Sequence, residues 1–248
     1  MSEWRVLPLT SADQQQHIEQ SEALLAGALP GEPATLSWSM AEPEGIVLGF
    51  SQKPDIINQA TLADRHIPIY HRRAGGTAVL VGPHLLSLDV VLPAGHPLIL
   101  ADVVESYRWF GEAWVAALAR LDVRTATIAP HEAHERQRHA RQGEAARDEA
   151  ILRRACYASL SPYEVVAGER KVVGLDMIRR RAGSLLQAGV LLQWRPETLA
   201  HLLGHTHEER TILRQGLPQR AVGLDTLAGR VIAPTEVIEA FQHVMREL

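Results

Sequence analysis

Residues 151–194 read ILRRACYASLSPYEVVAGERKVVGLDMIRRRAGSLLQAGVLLQW, and this stretch decides the fold. An apolar patch leads to a turn at Gly168, a strand follows from Lys171, and a second turn at Ala182 and Gly183 leads into another strand. Glycine favours tight reversals, and the runs between the two turns are rich in aliphatic residues. The stretch therefore predicts a three-strand meander.

Strand-like and turn-like pieces also alternate upstream of the meander. LSWSM and IVLGFSQ flank the turn AEPEG, which predicts a β-hairpin. Apolar side chains recur at three- and four-residue steps over 100–121, which predicts an amphipathic helix lying on a sheet. Residues 131–150 contain no large apolar residue and predict an exposed helix or a mobile loop. The remaining predictions are a helix over 55–65, a strand over 67–73 and two strands around Gly82 and Pro83.

The carboxyl-terminal part is predicted to be helical. Helical stretches cover 197–203, 207–215 and 235–247, and Pro234 with Thr235 opens the last one. Together these patterns predict an α/β (α+β) fold, with a mixed β-sheet flanked by helices. We expect residues 1–195 to form the main domain and residues 196–248 to form a helical cap packed on it.

Composition excludes several classes of protein. The chain has 248 residues, 46% of them hydrophobic, as expected of a globular protein. Lys and Arg total 25 against 29 for Asp and Glu, so no overall positive charge favours nucleic acid. The apolar region 78–104 is interrupted by prolines and polar residues, so we expect no membrane span. A sole cysteine and an amino terminus without a secretory pattern predict a cytoplasmic protein.

Lysine is scarce in this chain. Of the 25 basic residues, 23 are arginines and two are lysines, Lys53 and Lys171. The two residue types interchange on a solvated surface, so chance explains a retained lysine. The alternative is a site that needs a compact ammonium group with a tunable pKa, which the guanidinium group does not provide.

Cys156 is the candidate nucleophile. It follows Arg153 and Arg154, and positive charge favours the reactive thiolate. Lys171 lies fifteen residues later, and a reversal at Gly168 would bring the two together. A thiolate beside an ammonium group can attack a thioester while the cation stabilises charge on the carbonyl oxygen. The structural alternative is a buried, inert cysteine that fills the core.

Two other motifs give weaker signals. The glycine pair in HRRAGGTAV, residues 71–79, lets the backbone approach a ligand closely, and Arg72 and Arg73 could hold an anion. A simple turn explains the same pair. A solvated, charged run contains the histidines His131, His134 and His139. We expect no metal site there, because nothing in this run would hold metal ligands in fixed orientations.

Three segments together resemble the lipoate and biotin protein ligase superfamily, and within it the cysteine-dependent octanoyltransferases and lipoate-protein ligase A-like proteins. They are WSMAEPEGIVLGFSQ at 38–52, HRRAGGTAV at 71–79 and CYASLSPYEVVAGERKVVG at 156–174. The resemblance implies the ligase catalytic-domain fold. It also implies that an octanoyl or lipoyl chain is moved through a cysteine thioester to the lysine of a lipoyl domain, such as the glycine cleavage H protein.

The resemblance assigns roles to individual residues. Cys156 would accept the chain from octanoyl-acyl carrier protein, and Lys171 would hold the acyl carbonyl. No cofactor, metal or nucleic acid is needed on this route, and a monomer is expected. The residues expected to bind substrate are Arg72, Gly75, Gly76, Thr77 and Gly174.

Departures from the family pattern keep alternatives open. Asp176 and its neighbours replace a small polar run, and a carboxylate beside an acyl chain is costly when it is buried without a partner. One alternative is that the Asp176 side chain points away from the tunnel that would hold the acyl chain. Another is that it pairs with Arg179 or Lys171. A third is that Asp176 indicates a changed substrate or a loss of activity. One alternative function is an ATP-dependent and Mg²⁺-dependent lipoate ligase that uses lipoyl-adenylate. Another is a non-catalytic protein that binds acyl chains or lipoyl domains.

Overall fold

The sequence predicts two long strands joined by the turn at Ala182 and Gly183. In the structure both strands lie near the centre of a mixed sheet. The computed structural model describes residues 4–140 and 146–247. Its strands are β1 Arg5–Val6, β2 Thr10–Ala12, β3 Thr35–Ala41, β4 Gly45–Leu48, β5 Ile69–His71, β6 Val79–Val81, β7 Leu85–Pro93, β8 Ala126–Thr127, β9 Val165–Ala167, β10 Arg170–Arg180 and β11 Gly183–Leu191. Its α-helices are α1 Gln14–Ala26, α2 Gln59–Arg65, α3 Arg108–Ala119, α4 Pro130–His139, α5 Ala146–Leu152, α6 Pro196–Leu203, α7 His207–Gly216, α8 Leu224–Ala228 and α9 Pro234–Glu247.

The larger sheet has the order β1-β3-β7-β11-β10-β9-β8, and β2 also pairs with β3. Strands β1 and β2 run parallel to β3, whereas β10 is antiparallel to both β9 and β11. The predicted meander over β9, β10 and β11 is confirmed, as is the mixed character of the sheet. A smaller sheet has the order β5-β4-β6.

The predicted hairpin is wrong. Strand β3 pairs with β7 in the larger sheet, whereas β4 lies between β5 and β6 in the smaller sheet. All four residues of β4 are buried, and Ile46 and Leu48 belong to a separate core cluster. The intervening turn therefore carries the chain from one sheet to the other, because each strand buries its side chains in a different core.

The predicted amphipathic helix is shorter than its apolar pattern. Helix α3 begins at Arg108, and Val103, a member of the predicted apolar stripe, is exposed. The Asp102 side chain accepts hydrogen bonds from the backbone N–H groups of Val104 and Glu105. This local bonding stabilises a turn before the helix, since an Asp side chain can satisfy the backbone donors in place of helical carbonyls.

The main core lies between the larger sheet and helices α3 and α9. Trp38 from β3, Trp114 from α3 and Phe241 from α9 are buried and meet within 6.0 Å of one another, measured between ring centroids. Aromatic rings of this size dominate the apolar surface removed from water. The last helix is therefore part of the main core, and the boundary between residues 195 and 196 stays a prediction.

A second core surrounds the smaller sheet. Helices α6 and α7 supply Leu199, Leu203 and Leu213 to the same cluster as Ile46 and Leu48. Helices α4 and α5 overlap the predicted exposed segment 131–150, of which residues 141–145 lie outside the described residues. Among the described helices, none combines the length and the apolar composition that a bilayer crossing requires.

Candidate active site

Cys156 is fixed by the strand that follows the glycine pair. It begins a single 3-10 turn, Cys156–Ala158, and its backbone N–H donates to the carbonyl oxygen of Ala78 at 2.9 Å. The N–H of Ala78 in turn donates to the carbonyl of Arg154 at 3.0 Å. These two bonds hold the cysteine beside the HRRAGGTAV segment, although 75 or more residues separate them in the sequence.

Lys171 is buried next to the cysteine. Its side chain is 1% exposed, and its Nζ donates to the carbonyl oxygen of Cys156 at 3.1 Å. Its backbone is held by residues 220–222, because its N–H donates to the Arg220 carbonyl and its carbonyl accepts from the Val222 N–H. The structure thus brings the scarce amine and the single thiol-bearing residue to one place.

Glu164 supplies the counter-charge for Lys171. Its carboxylate accepts a hydrogen bond from Nζ at 2.8 Å and is 3% exposed. It also accepts from the backbone N–H groups of Ser161 and Leu175. Burial raises the pKa of Glu164, and the ammonium group of Lys171 opposes that rise. Sequence reasoning missed this residue, although a buried lysine requires a paired carboxylate nearby.

The Tyr157 ring packs beside the Lys171 ammonium group. The Lys171 Nζ lies 5.3 Å from the centroid of its ring, and the Tyr157 hydroxyl donates to the carbonyl of Gly189 at 2.6 Å. Gly174 and Gly189 are paired across β10 and β11, and a Cβ at Gly189 would lie 2.6 Å from the hydroxyl. The absence of a side chain at Gly189 therefore makes room for the Tyr157 hydroxyl on the sheet.

The glycine loop is shaped by Arg72. Its Nε donates to the Gly75 carbonyl and its Nη2 to the Thr77 carbonyl, both at 3.0 Å. Gly76 has a φ of +91°, a conformation that favours glycine, and Gly49 packs directly against its carbonyl oxygen. Arg72 therefore braces the loop with the donors that sequence reasoning had assigned to a ligand.

One cavity joins these residues. It has a volume of about 560 Å³ and is lined by every predicted site residue, namely Cys156, Lys171, Arg72, Gly75, Gly76, Thr77 and Gly174. Its apolar wall includes Val47, Val79, Val81 and Leu85 from the two sheets. A cavity with an apolar wall, lined also by a cysteine and a lysine, fits an acyl chain attached through its carbonyl.

The predicted environment of Asp176 needs correction. Asp176 lines the cavity, and its carboxylate lies 3.7 Å from the Nε of Arg72. It therefore neither points away nor pairs with Arg179 or Lys171. Arg179 instead donates to the Ser106 hydroxyl. Burial raises the pKa of Asp176, and the guanidinium group of Arg72 counteracts that effect.

Arg154 does not face the thiol as its sequence position suggested. Its guanidinium group binds Glu209 through two hydrogen bonds of 2.7 and 2.8 Å and also donates to the Leu203 carbonyl. This bonding holds the pKa of Glu209 near 2. Arg153, in contrast, does line the cavity. Within residues 4–140 and 146–247, no group of three or more His, Cys, Asp or Glu side chains is arranged to hold a metal.

Two solved structures share the fold of this chain. A bipartite lipoate protein ligase from Thermoplasma acidophilum, whose structure was studied with its E2 lipoyl domain, is similar over the whole chain with a TM-score of 0.76. The similarity covers 84% of that chain at 18% sequence identity. A lipoate-protein ligase A bound with ATP has a TM-score of 0.73 at 17% identity and covers 99% and 85% of the two chains. These likenesses confirm the predicted fold.

Sequence comparison identifies the family. The model of the lipoyl protein ligase A/B catalytic domain matches residues 13–246, and the chain belongs to this family. The octanoyltransferase LipM of Kyrpidia tusciae is 30% identical over 100% of this chain and 87% of its own length. That of Brevibacillus brevis is 26% identical over 97% and 85% of the two chains. The resemblance found in the three sequence segments is confirmed, and these relatives agree with the prediction of an acyltransferase.

Proposed function

We propose that the protein transfers an octanoyl-type acyl chain from an acyl carrier protein to the lysine of a lipoyl domain, through a thioester on Cys156. One observation carries this proposal: Lys171 Nζ donates to the carbonyl of Cys156, and both residues line a cavity that has an apolar wall. The octanoyltransferase relatives match the chain over nearly its full length and support the same reaction.

The reaction has two exchange steps. The thiolate of Cys156 attacks the carbonyl carbon of the donor thioester, a new C–S bond forms, and the carrier thiolate leaves and takes up a proton. The neutral amine of the acceptor lysine then attacks the acyl-enzyme, an amide bond forms and the Cys156 thiolate is released. The proton lost by the amine returns to solvent or to that thiolate. Neither step needs an external oxidant, reductant or nucleotide.

Lys171 stabilises the reacting group in this scheme. Its ammonium is fixed on three sides by Glu164, by the Cys156 carbonyl and by the Tyr157 ring, so little reorganisation accompanies reaction. A fixed positive charge in a buried site favours an oxyanion that develops beside it. Arg72 holds the loop 75–77 as one wall of the acyl site, and Gly174 contacts Tyr157 opposite it.

The proposal also covers partners and conditions. We propose octanoyl-acyl carrier protein as donor and a lipoyl domain such as the glycine cleavage H protein as acceptor. We further propose that the protein works as a monomer in the cytoplasm and needs no cofactor.

The decisive experiment is acylation of the pure protein. We expect octanoyl-acyl carrier protein to leave a mass increment on Cys156 that hydroxylamine removes, and an added lipoyl domain to discharge it. Cys156→Ser should carry no hydroxylamine-sensitive thioester. Transfer that proceeds unchanged without the thiol, or transfer of free lipoate only with ATP and Mg²⁺, would contradict the proposal. Binding of the donor without any transfer would favour a non-catalytic role.

A further inference from the structure

The floor of the acyl cavity is polar, which an unsubstituted hydrocarbon chain does not explain. Asp176, Gln187 and Asp89 are paired in register across β10, β11 and β7, and all three line the cavity. Residues directly opposite each other on antiparallel strands project from the same face of the sheet. These three side chains therefore form a polar row across the floor.

A second row lies next to the first. Gly174, Gly189, Ser87 and Ser39 are also paired in register, and the Tyr157 ring lies over the glycines at the Cys156 end. Two residues along a strand span roughly 7 Å. The polar row therefore lies roughly 7 Å from the row that Tyr157 covers, which is about the length of several carbons of an acyl chain. We name the cavity-lining residues Ser39, Ser87, Asp89, Asp176 and Gln187 the polar floor.

Asp89 is built into this floor rather than being a chance surface charge. Its carboxylate accepts from the Nε2 of Gln187 at 2.8 Å and from the hydroxyl of Ser21 on α1. Burial raises the pKa of Asp89. A carboxylate offers roughly four acceptor positions, and these two bonds occupy two of them. Asp89 also lines the cavity, so its carboxylate is within reach of a group bound there.

An apolar chain over these groups would remove water from them without replacing its hydrogen bonds. Covering a polar group without a new partner is unfavourable, whereas a site built around a substrate hydroxyl discriminates strongly against the analogue that lacks it. The apolar wall of Val47, Val79 and Val81 suits the methylene groups of a chain. The polar floor suits a hydrogen-bond donor farther along it.

We propose that the cavity selects an acyl chain that carries a hydroxyl group in its distal half over the unsubstituted chain of the same length. This inference rests on the proposed function, because it takes Cys156 as the attachment point. It adds a substrate class, and it identifies Asp89 and Asp176 as residues that determine specificity.

Binding is measured separately from transfer. The N-acetylcysteamine thioesters of octanoate and 8-hydroxyoctanoate are titrated by calorimetry into the unreactive Cys156→Ala protein. We expect the hydroxylated thioester to bind at least tenfold more tightly. Equal affinity, or tighter binding of the octanoyl thioester, would overturn the inference.

Variants assign the selectivity to the floor. Asp89→Leu should abolish or reverse the preference, whereas Ser37→Ala should retain it. Ser37 lies in the same register as Asp89 but is not part of the cavity lining. If Asp89→Leu does not fold, Ser87→Ala removes one hydroxyl of the floor without changing charge and should narrow the preference. An unchanged preference in a folded floor variant would contradict the assignment.

The wild-type protein separates this inference from the proposed function. Both thioesters are offered together, and adducts on Cys156 are followed by mass spectrometry. Preferential binding without an adduct would leave the selection in place and refute transfer through Cys156. Rapid acylation by both chains at equal rates would support the transfer and refute the selection.

Discussion

Replacing Glu164 by glutamine tests whether the Glu164 and Lys171 pair organises the site. The change keeps the shape of the side chain and one oxygen that can accept from Nζ, but it removes the negative charge. Both side chains are almost fully buried, with 3% and 1% of their surface exposed. The variant therefore leaves a buried ammonium group without its counter-ion.

The expected loss follows from that burial. Breaking a buried ion pair by removing one partner costs about 3 to 5 kcal/mol, and the retained amide contact favours the lower end. For a chain of this size each kcal/mol lowers the melting temperature by roughly 2–4 °C, so Glu164→Gln should lower Tm by about 6–12 °C. Acylation of Cys156 should slow at a pH where the variant remains folded, because the Lys171 ammonium group has lost the counter-charge that helps to fix its position.

Two matched variants interpret the result. Glu164→Gln combined with Lys171→Met removes both charges, and it should recover much of the stability but none of the acyl transfer. Glu208→Gln breaks the Arg147 and Glu208 pair, whose side chains are 66% and 62% exposed, and should leave the melting temperature nearly unchanged. Unfolding is followed by circular dichroism and transfer by mass spectrometry. A Tm for Glu164→Gln equal to that of Glu208→Gln would refute the reasoning.

Three further predictions concern stability around the site. Burial lowers the pKa of His84 to about 4 from 6.5, so the unfolded chain binds a proton that the folded one does not, and stability should fall by about 3 kcal/mol as pH drops from 6.5 to 4. Denaturant titrations should show this change in the free energy of unfolding with pH, and His84→Gln should lose this contribution. The same pH dependence in the variant and the original protein would contradict the prediction. Gly189→Ala should displace the Tyr157 hydroxyl and lower the free energy of unfolding by about 1 to 3 kcal/mol. Acylation of Cys156 should also be slower. Unchanged stability in the same titration would show that the Tyr157 ring does not pack against Gly189. Arg154→Ala should lower stability by about 1 to 2 kcal/mol at pH 7, because the pair is partly screened by solvent. The deficit should shrink between pH 4.5 and 2, because Arg154 contributes most to holding the pKa of Glu209 near 2; a deficit independent of pH would argue against that pairing.

Local signals explain the parts of the fold that sequence predicted. The turns at Gly168 and Gly183 join strands that are consecutive in the sequence, so local residues were enough to predict the β9-β10-β11 meander. The same reversal at Gly168 explains why the 156 and 171 positions could be expected to meet. Helix α9 was also predictable, since Pro234 and its apolar period are local features.

Contacts between distant segments were not predictable in this way. The turn residues before Gly45 predict a chain reversal, but they do not indicate that β3 and β4 belong to different sheets. Arg72 and Asp176 meet although 103 intervening residues separate them, whereas sequence reasoning considered Arg179, three residues away. A short sequence separation is a poor guide to pairing in a cavity that several strands enclose.

The position of Asp176 shows why strand periodicity alone fails at this site. Strict alternation from Lys171 would place residues 173 and 175 on its face and Asp176 on the opposite one. The pairing of β9 with β10 instead shifts register between Lys171 and Val173. Such a bulge changes the phase of the strand, so Gly174 and Asp176 line the cavity with Lys171 while Val173 packs in the core. The bulge lies between Lys171 and Asp176 on β10, and it carries no sequence signal of its own. A change that removed it would turn either the Lys171 ammonium group or the Asp176 carboxylate to the other face of the strand, whereas the floor residues on β3, β7 and β11 would keep their positions.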